Sequence, residues 1–128
     1  MSIIGIGTDI VSIDRMVKII ERHGERFAEK ALHPEELAIF NEKANPAPYL
    51  AKRFAAKESV AKALGTGIGK NVHLQDIQTC NDELGKPYLQ FHGETQQFID
   101  RIGVTDSHIS LSDEKEFAIA YVILTGHE

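Results

Sequence analysis

The sequence predicts an α+β fold built around an antiparallel sheet, on three observations. Residues near the N-terminus alternate with a period of two, helical spacing then dominates to about residue 64, and period-two segments return in the second half. Helices gathered early and strands gathered late do not make the alternating units of a parallel sheet, so the opening strand is expected to return and pair with the later ones. At 128 residues and 42% hydrophobic content the chain has the size of one compact domain, and residues 1–128 are expected to share a core.

Each element has a local reason. Ile4, Ile6, Thr8 and Ile10 alternate with Ile3, Gly5, Gly7, Asp9 and Val11, which gives a strand apolar on both faces and therefore expected at the centre of a sheet. Ser12 can cap the following helix, Asp14 suits its first turn, and Gly24 suits its end; Ile13, Met16, Val17 and Ile20 form its apolar stripe. Pro34 opens a second helix, PEELAIF, and NEKANPAP follows as a loop. The next helix runs from about Tyr49 to Leu64 and stops at the glycines of GTGIGKN. Strands LQDIQTC and PYLQF flank the turn NDELGK, GETQQFIDRIG is a short helix, and HISLS with FAIAYVIL closes the chain as a hairpin around DEKE. There is no internal repeat.

Composition excludes several classes. No run approaches the roughly 20 apolar residues of a membrane span, and MSIIGIG has neither the basic region nor the cleavage site of a secretory signal, so a cytoplasmic location is expected and no membrane partner. Cys80 is the one cysteine, which allows no intrachain disulfide and no thiolate cluster. A net charge of −5 argues against non-specific nucleic-acid binding. The charge is unevenly spread: Lys52, Arg53, Lys57, Lys62 and Lys70 face one acid, Glu58, between residues 52 and 72, whereas residues 81 to 128 hold nine acids and three bases. An anionic ligand is expected in the middle of the chain.

Two acids stand in apolar surroundings. Asp9 shares a strand face with Gly5 and Gly7, and glycines inside a strand mark close approach of a ligand or of another backbone. Against this, an aspartate just before a helix can serve that helix's N-terminus alone. On the third helix Leu50, Phe54, Val60, Ala61 and Leu64 define an apolar arc that takes in Lys57 and Glu58. Glu58 needs a cation there, either Lys62 one turn on or a metal shared with Asp9. Two carboxylates beside a basic cluster have the composition of a magnesium-phosphate site, with Arg53, Lys57 and Lys62 expected to meet the remaining phosphate charge. GTGIGK is not a Walker A loop, because Leu64 stands where that pattern requires glycine and Asn71 follows Lys70.

Two further faces are polar. His108, Ser110 and Ser112 share one side of a strand, without a spacing that favours a hydrolase triad. Arg15, Lys18 and Arg22 recur at helical spacing beside Met16 and Ile19, with Arg26 and Phe27 beyond; this suits an acidic protein partner, while Glu21, Glu25 and Glu29 suit a solvated helix with its own ion pairs.

GIGTDIV, KRFAAKESVAKALGTGIG, NDELGKPYL and HISLSDEKEFAIAYVI together resemble the holo-acyl-carrier-protein synthases, small bacterial 4′-phosphopantetheinyl transferases, over nearly the whole chain. The resemblance implies Mg²⁺-dependent transfer of 4′-phosphopantetheine from coenzyme A to a serine of apo acyl carrier protein, in fatty acid biosynthesis, with release of adenosine 3′,5′-bisphosphate. It implies an α+β fold assembled as a homotrimer with sites between subunits. By position it puts the metal carboxylates at Asp9 and Glu58, where the glycines would leave room for a pyrophosphate. It puts Lys62, Gly65 and Thr66 along the coenzyme A site, with Lys62 catalytic beside the two acids. Arg53 and His108 would reach that site from a neighbouring subunit, and Arg15, Arg26 and Phe27 would meet the carrier. Asp113 stands where some members have histidine and Ala61 where some have serine. Two other readings accommodate part of the same residues: a non-catalytic module for an acidic partner, and a magnesium-dependent hydrolase of a nucleotide diphosphate.

Overall fold

The structure, a computed structural model, describes residues 1–127; Glu128, the last residue of the predicted domain, lies outside the described residues. Strand β1 (Ser2–Ser12) runs into helix α1 (Ile13–His23), followed by α2 (Arg26–Ala31), α3 (Pro34–Glu42) and the long α4 (Ala47–Leu64). A single 3₁₀ turn (Leu74–Asp76) leads to β2 (Ile77–Asn81), β3 (Pro87–Phe91), α5 (Gly93–Arg101), β4 (Val104–Asp113) and β5 (Phe117–Gly126). The predicted α+β class, helix stops and closing hairpin are found. Helix α2, only six residues long, is too short to show a period in the sequence. Among the described residues no helix is long and apolar enough to cross a membrane.

The strands form two antiparallel sheets, β1-β5-β4 and β2-β3. Strand β1 does return to pair with β5, with Asp9 opposite Ala120, but it lies at the edge of its sheet rather than at the centre. Its apolar character on both faces has a different cause. The inward face lies against α4, and the outward Ile6 and Ile10, 56% and 60% exposed, continue an apolar surface through Ile119 and Tyr121 of β5.

Helix α4 crosses the inner face of the larger sheet and is buried on almost every side, with Leu50, Ala51, Ala55, Ala56 and Val60 fully inaccessible. It separates two apolar clusters, one around Met16, Leu32, Phe40 and Leu50, the other around Val60, Ile77, Ile99 and Leu124. The glycines of β1 are explained here. A β-carbon at Gly5 would lie 1.8 Å from the Ala63 carbonyl oxygen, and one at Gly7 would lie 2.0 Å from that of Ser59. They admit the backbone of α4, and the expectation that they hold space open for a pyrophosphate is corrected: the space is filled by the helix.

Helix α3 begins with a titratable cap. Nδ1 of His33 accepts from the Glu35 N–H at 3.1 Å, and the His33 N–H donates to Glu36 Oε1 at 3.0 Å. Only the neutral ring offers Nδ1 as an acceptor. The ring stacks on His92 with centroids 4.5 Å apart. Burial first, then His92, hold the His33 pKa below its ordinary 6.5; Glu35 and Glu36 oppose the shift and Lys57 adds to it. With the folded pKa the lower one, this contribution to stability is complete above the unfolded pKa and is lost as pH falls through the folded value. His33→Asn keeps a capping oxygen that does not titrate, and a cap of this kind is worth about 1 kcal/mol. The Tm of the variant should therefore fall less than that of the wild type between neutral and mildly acidic pH, and an equal fall in calorimetry would contradict the assignment.

Candidate active site

Helix α4 carries charge on two opposed faces. Arg53 and Lys57, one turn apart, face the smaller sheet and α3, whereas Glu58 and Lys62 face β1. Glycine contacts bring the helix onto the strand at Ser59 and Ala63, so the face bearing Glu58 and Lys62 meets the next inward residue after Gly7, which is Asp9. Lys62 Nζ donates to Asp9 Oδ1 at 2.9 Å and to the Thr8 carbonyl oxygen at 3.0 Å. The pairing of Glu58 with Lys62 that helical spacing allows is thus not made, and among the described residues Glu58 forms no ion pair. Burial, and after it the charge of Asp9, push the Glu58 carboxyl above its ordinary 4.5, with Lys62 and Arg15 opposing.

A Glu58 carboxyl that burial and Asp9 make harder to ionise, next to an acid paired with one half-exposed ammonium, fits a hard divalent cation. Among the described residues no three His, Cys, Asp or Glu side chains gather. Two protein oxygens are what Mg²⁺ commonly takes, the rest of its octahedron coming from water and phosphate. Asp9 and Glu58 would hold it.

The other expected residues do not all gather at this pair. Gly65 ends α4 with φ +78°, its N–H bonded to the Lys62 carbonyl oxygen at 3.0 Å, and Thr66 is exposed beside it with its hydroxyl on Gly67 O. The glycine loop is therefore a helix stop, one turn beyond Lys62. His108 faces outward on β4 opposite Ile123, whereas Asp9 faces inward with Ala120 and Leu111, so one chain places them on opposite sides of the sheet. Arg53 is only 6% exposed; it stacks on the Tyr49 ring at 4.5 Å and donates to Asn81 Oδ1 at 2.8 Å. Neither His108 nor Arg53 meets Asp9 within the chain.

Lys57 corrects an expectation. It has no exposed surface and pairs with Glu36 Oε1 at 2.7 Å, so it is not available to a phosphate. Glu36, 1% exposed, escaped the sequence reading because PEELAIF offers no sign that its second acid turns inward. Arg15 and Arg26 are exposed, along a strip with Lys18, Arg22 and Lys30, and Phe27 lies at its end, packed edge-on against Phe54 at 5.4 Å.

Residues 5–122 match the family model of the 4′-phosphopantetheinyl transferase superfamily. The holo-[acyl-carrier-protein] synthase of Halorhodospira halophila is 50% identical over 122 residues, 95% of this chain and 97% of its own. The crystal structure of the holo-[acyl-carrier-protein] synthase of Neisseria meningitidis superposes with a TM-score of 0.92 at 41% identity, covering 97% of this chain and 99% of that one. That of Helicobacter pylori, in complex with coenzyme A, does so with 0.82 at 32% identity, covering 94% and 99%. The chain therefore belongs to the 4′-phosphopantetheinyl transferase superfamily, and within it to the holo-[acyl-carrier-protein] synthases, which are enzymes.

The charge balance at Glu58 is open to a direct check in metal-free protein. Asp9→Asn removes the neighbouring negative charge and should lower the pH at which the Glu58 carboxyl titrates, as read by its side-chain ¹³C shift. An unchanged titration would mean that the two carboxylates do not share a site. A Mg²⁺ ion held by Asp9 and Glu58 would compete with the proton on Glu58, so its calorimetric affinity should weaken as pH falls through the raised value.

Proposed function

We propose that the chain transfers 4′-phosphopantetheine from coenzyme A to a serine of apo acyl carrier protein, with Mg²⁺, releasing adenosine 3′,5′-bisphosphate in cytoplasmic fatty acid biosynthesis. The observation that carries this reading is the contact of Lys62 on α4 with Asp9 on β1, near a Glu58 carboxyl that burial and the charge of Asp9 make harder to ionise, at the end of a glycine-bordered helix. The coenzyme A complex of the Helicobacter pylori relative supports the donor, and the names of the relatives support the acceptor.

In this reading the serine oxygen forms a bond to the β-phosphorus, the bridging oxygen leaves with the nucleotide, and the serine proton passes to Glu58 or to solvent. Bound Mg²⁺ would supply neutralisation of the pyrophosphate charge. Asp9 and Glu58 hold and orient it. Lys62, with a 55% exposed side chain, turns its ammonium from Asp9 to the departing phosphate. Gly65 and Thr66 let the ligand approach the chain, and Arg15, Arg26 and Phe27 receive the acidic carrier.

The reading includes a homotrimer. The outward face of the larger sheet exposes Ile6, Ile10, Ile119 and Tyr121, the kind of contiguous apolar surface that marks an interface. His108 lies on that face, and a cyclic assembly lets it serve the site of another copy. Arg53 is assigned to the same shared site.

Two tests follow. With coenzyme A, Mg²⁺ and an apo carrier, the carrier should gain one phosphopantetheine mass, and Asp9→Asn or Glu58→Gln should remove most of the turnover in a folded protein. Nucleotide release without a carrier would mark a hydrolase instead. For assembly, impaired Asp9→Asn and His108→Ala chains refolded together in equal amounts should recover about a quarter of wild-type sites. No recovery in mixed trimers would place the site within one subunit.

A further inference from the structure

Lys57 precedes Glu58 in the chain and points into the interior. Its ammonium has three acceptors on three elements: Glu36 Oε1 of α3 at 2.7 Å, the Leu74 carbonyl oxygen of the 3₁₀ turn at 3.0 Å, and the carbonyl oxygen of Ile77, the first residue of β2. An ammonium has three protons, and all are used. Glu36 is held in turn by the His33 N–H on its Oε1 and by the Thr79 N–H on its Oε2, at 3.0 Å and 2.9 Å. Lys57, Glu36, Ile77 and Thr79 are all buried, and His33 and Leu74 are half-buried at the rim of the cluster.

Stability alone does not account for it. A buried ion pair is often matched or bettered by apolar side chains of the same volume, and its best-attested use is to fix register. Helix α4 has a register to fix. It meets β1 through glycines on one side and Ser59 and Ala63 on the other, a contact of small groups whose directional ties to the sheet are the Ser59 hydroxyl on the Ala120 carbonyl oxygen and the half-exposed Lys62 on Asp9 and the Thr8 carbonyl oxygen. Apolar contacts are non-directional, whereas three hydrogen bonds from one atom to three elements specify both rotation and height. Glu58 is one residue on, about 100° around the same helix. Any turn of α4 that moves Glu58 off Asp9 draws Lys57 Nζ from its acceptors.

We propose that Glu36 and Lys57 are positioning residues for the reaction: a buried pin that sets the rotation of α4 and so places Glu58 and Lys62 against Asp9. This rests on the reading of Asp9 and Glu58 as a metal-holding pair. The pin touches neither metal nor substrate and acts through Glu58.

The test compares Lys57→Met, which keeps the length and the burial, with Ile99→Ala on the buried face of α5, a control of equal or larger loss in Tm. At a temperature where both are folded, Mg²⁺ affinity is measured by calorimetry, and kcat and KM for coenzyme A by transfer to an apo carrier. Lys57→Met should bind Mg²⁺ at least tenfold more weakly and lose at least tenfold in kcat, while the control stays within about twofold on both. Glu36→Gln, which keeps a carbonyl for Lys57 but presents an N–H to Thr79, should move in the same direction by less. Wild-type affinity and kcat in Lys57→Met would overturn the proposal and leave the pair as ordinary core. Failure of both variants to fold would overturn it too, because a device for register alone leaves a folded chain behind. Wild-type Mg²⁺ binding that Asp9→Asn does not alter would remove the metal reading, and the proposal with it.

Discussion

The backbone of α4 rests on the backbone of β1, and the proposed metal site depends on that contact. Two glycines make it possible: a β-carbon at either would lie within about 2.0 Å of a helix carbonyl oxygen, far inside any tolerated separation. With side chains there, the helix would stand off, and overpacking of this kind costs about 1–3 kcal/mol even where a core can yield. The glycines themselves cost the strand stability. What the chain gains is a charged helix face brought against a strand that carries an acid, from elements about fifty residues apart in sequence.

Two of the three lysines of α4, Lys57 and Lys62, show how burial divides the labour of like residues. Lys57 is fully inaccessible and bonded on three sides; breaking such a pair costs about 3–5 kcal/mol, so it does not move. Lys62 is half exposed and its pair with Asp9 is worth about 0–1 kcal/mol, so it exchanges one anion for another at little cost. Glu58, next to the immobile lysine and near the mobile one, keeps a carboxyl that burial and Asp9 make harder to ionise. A cation that neutralises both acids relieves this, which is why the pair suits Mg²⁺ while contributing little to the stability of the empty fold.

Much of this was legible in the sequence because it rests on local rules. Ser12, Gly24 and Gly65 bound their helices through caps and turn geometry, and the closing hairpin shows in its alternation. Asp9 and Glu58 stood out as charges among apolar neighbours. The illegible parts are those decided by which surfaces meet. Nothing local distinguishes a glycine that admits a ligand from one that admits a helix, nor a strand whose second apolar face meets a core from one whose second face is exposed, as at Ile6 and Ile10. Lys57 and Glu58 lie side by side in sequence; that one turns inward follows from Glu36, whose burial depends on the packing of α3 against α4. Arg53 and His108 could not be placed against Asp9 by any property of one chain.

The central claim is that β1 and α4 together form a divalent-cation site at Asp9 and Glu58. Anomalous diffraction from crystals grown with Mn²⁺ and coenzyme A tests it most directly, because the metal is located without reference to activity. The account predicts a single strong peak bonded to a carboxylate oxygen of Asp9 and to one of Glu58, at about the 2.0–2.2 Å of a hard cation, with Lys62 turned from Asp9 toward phosphate. A peak held by only one of the two acids, or by acids elsewhere such as Asp113 and Glu116, would contradict it.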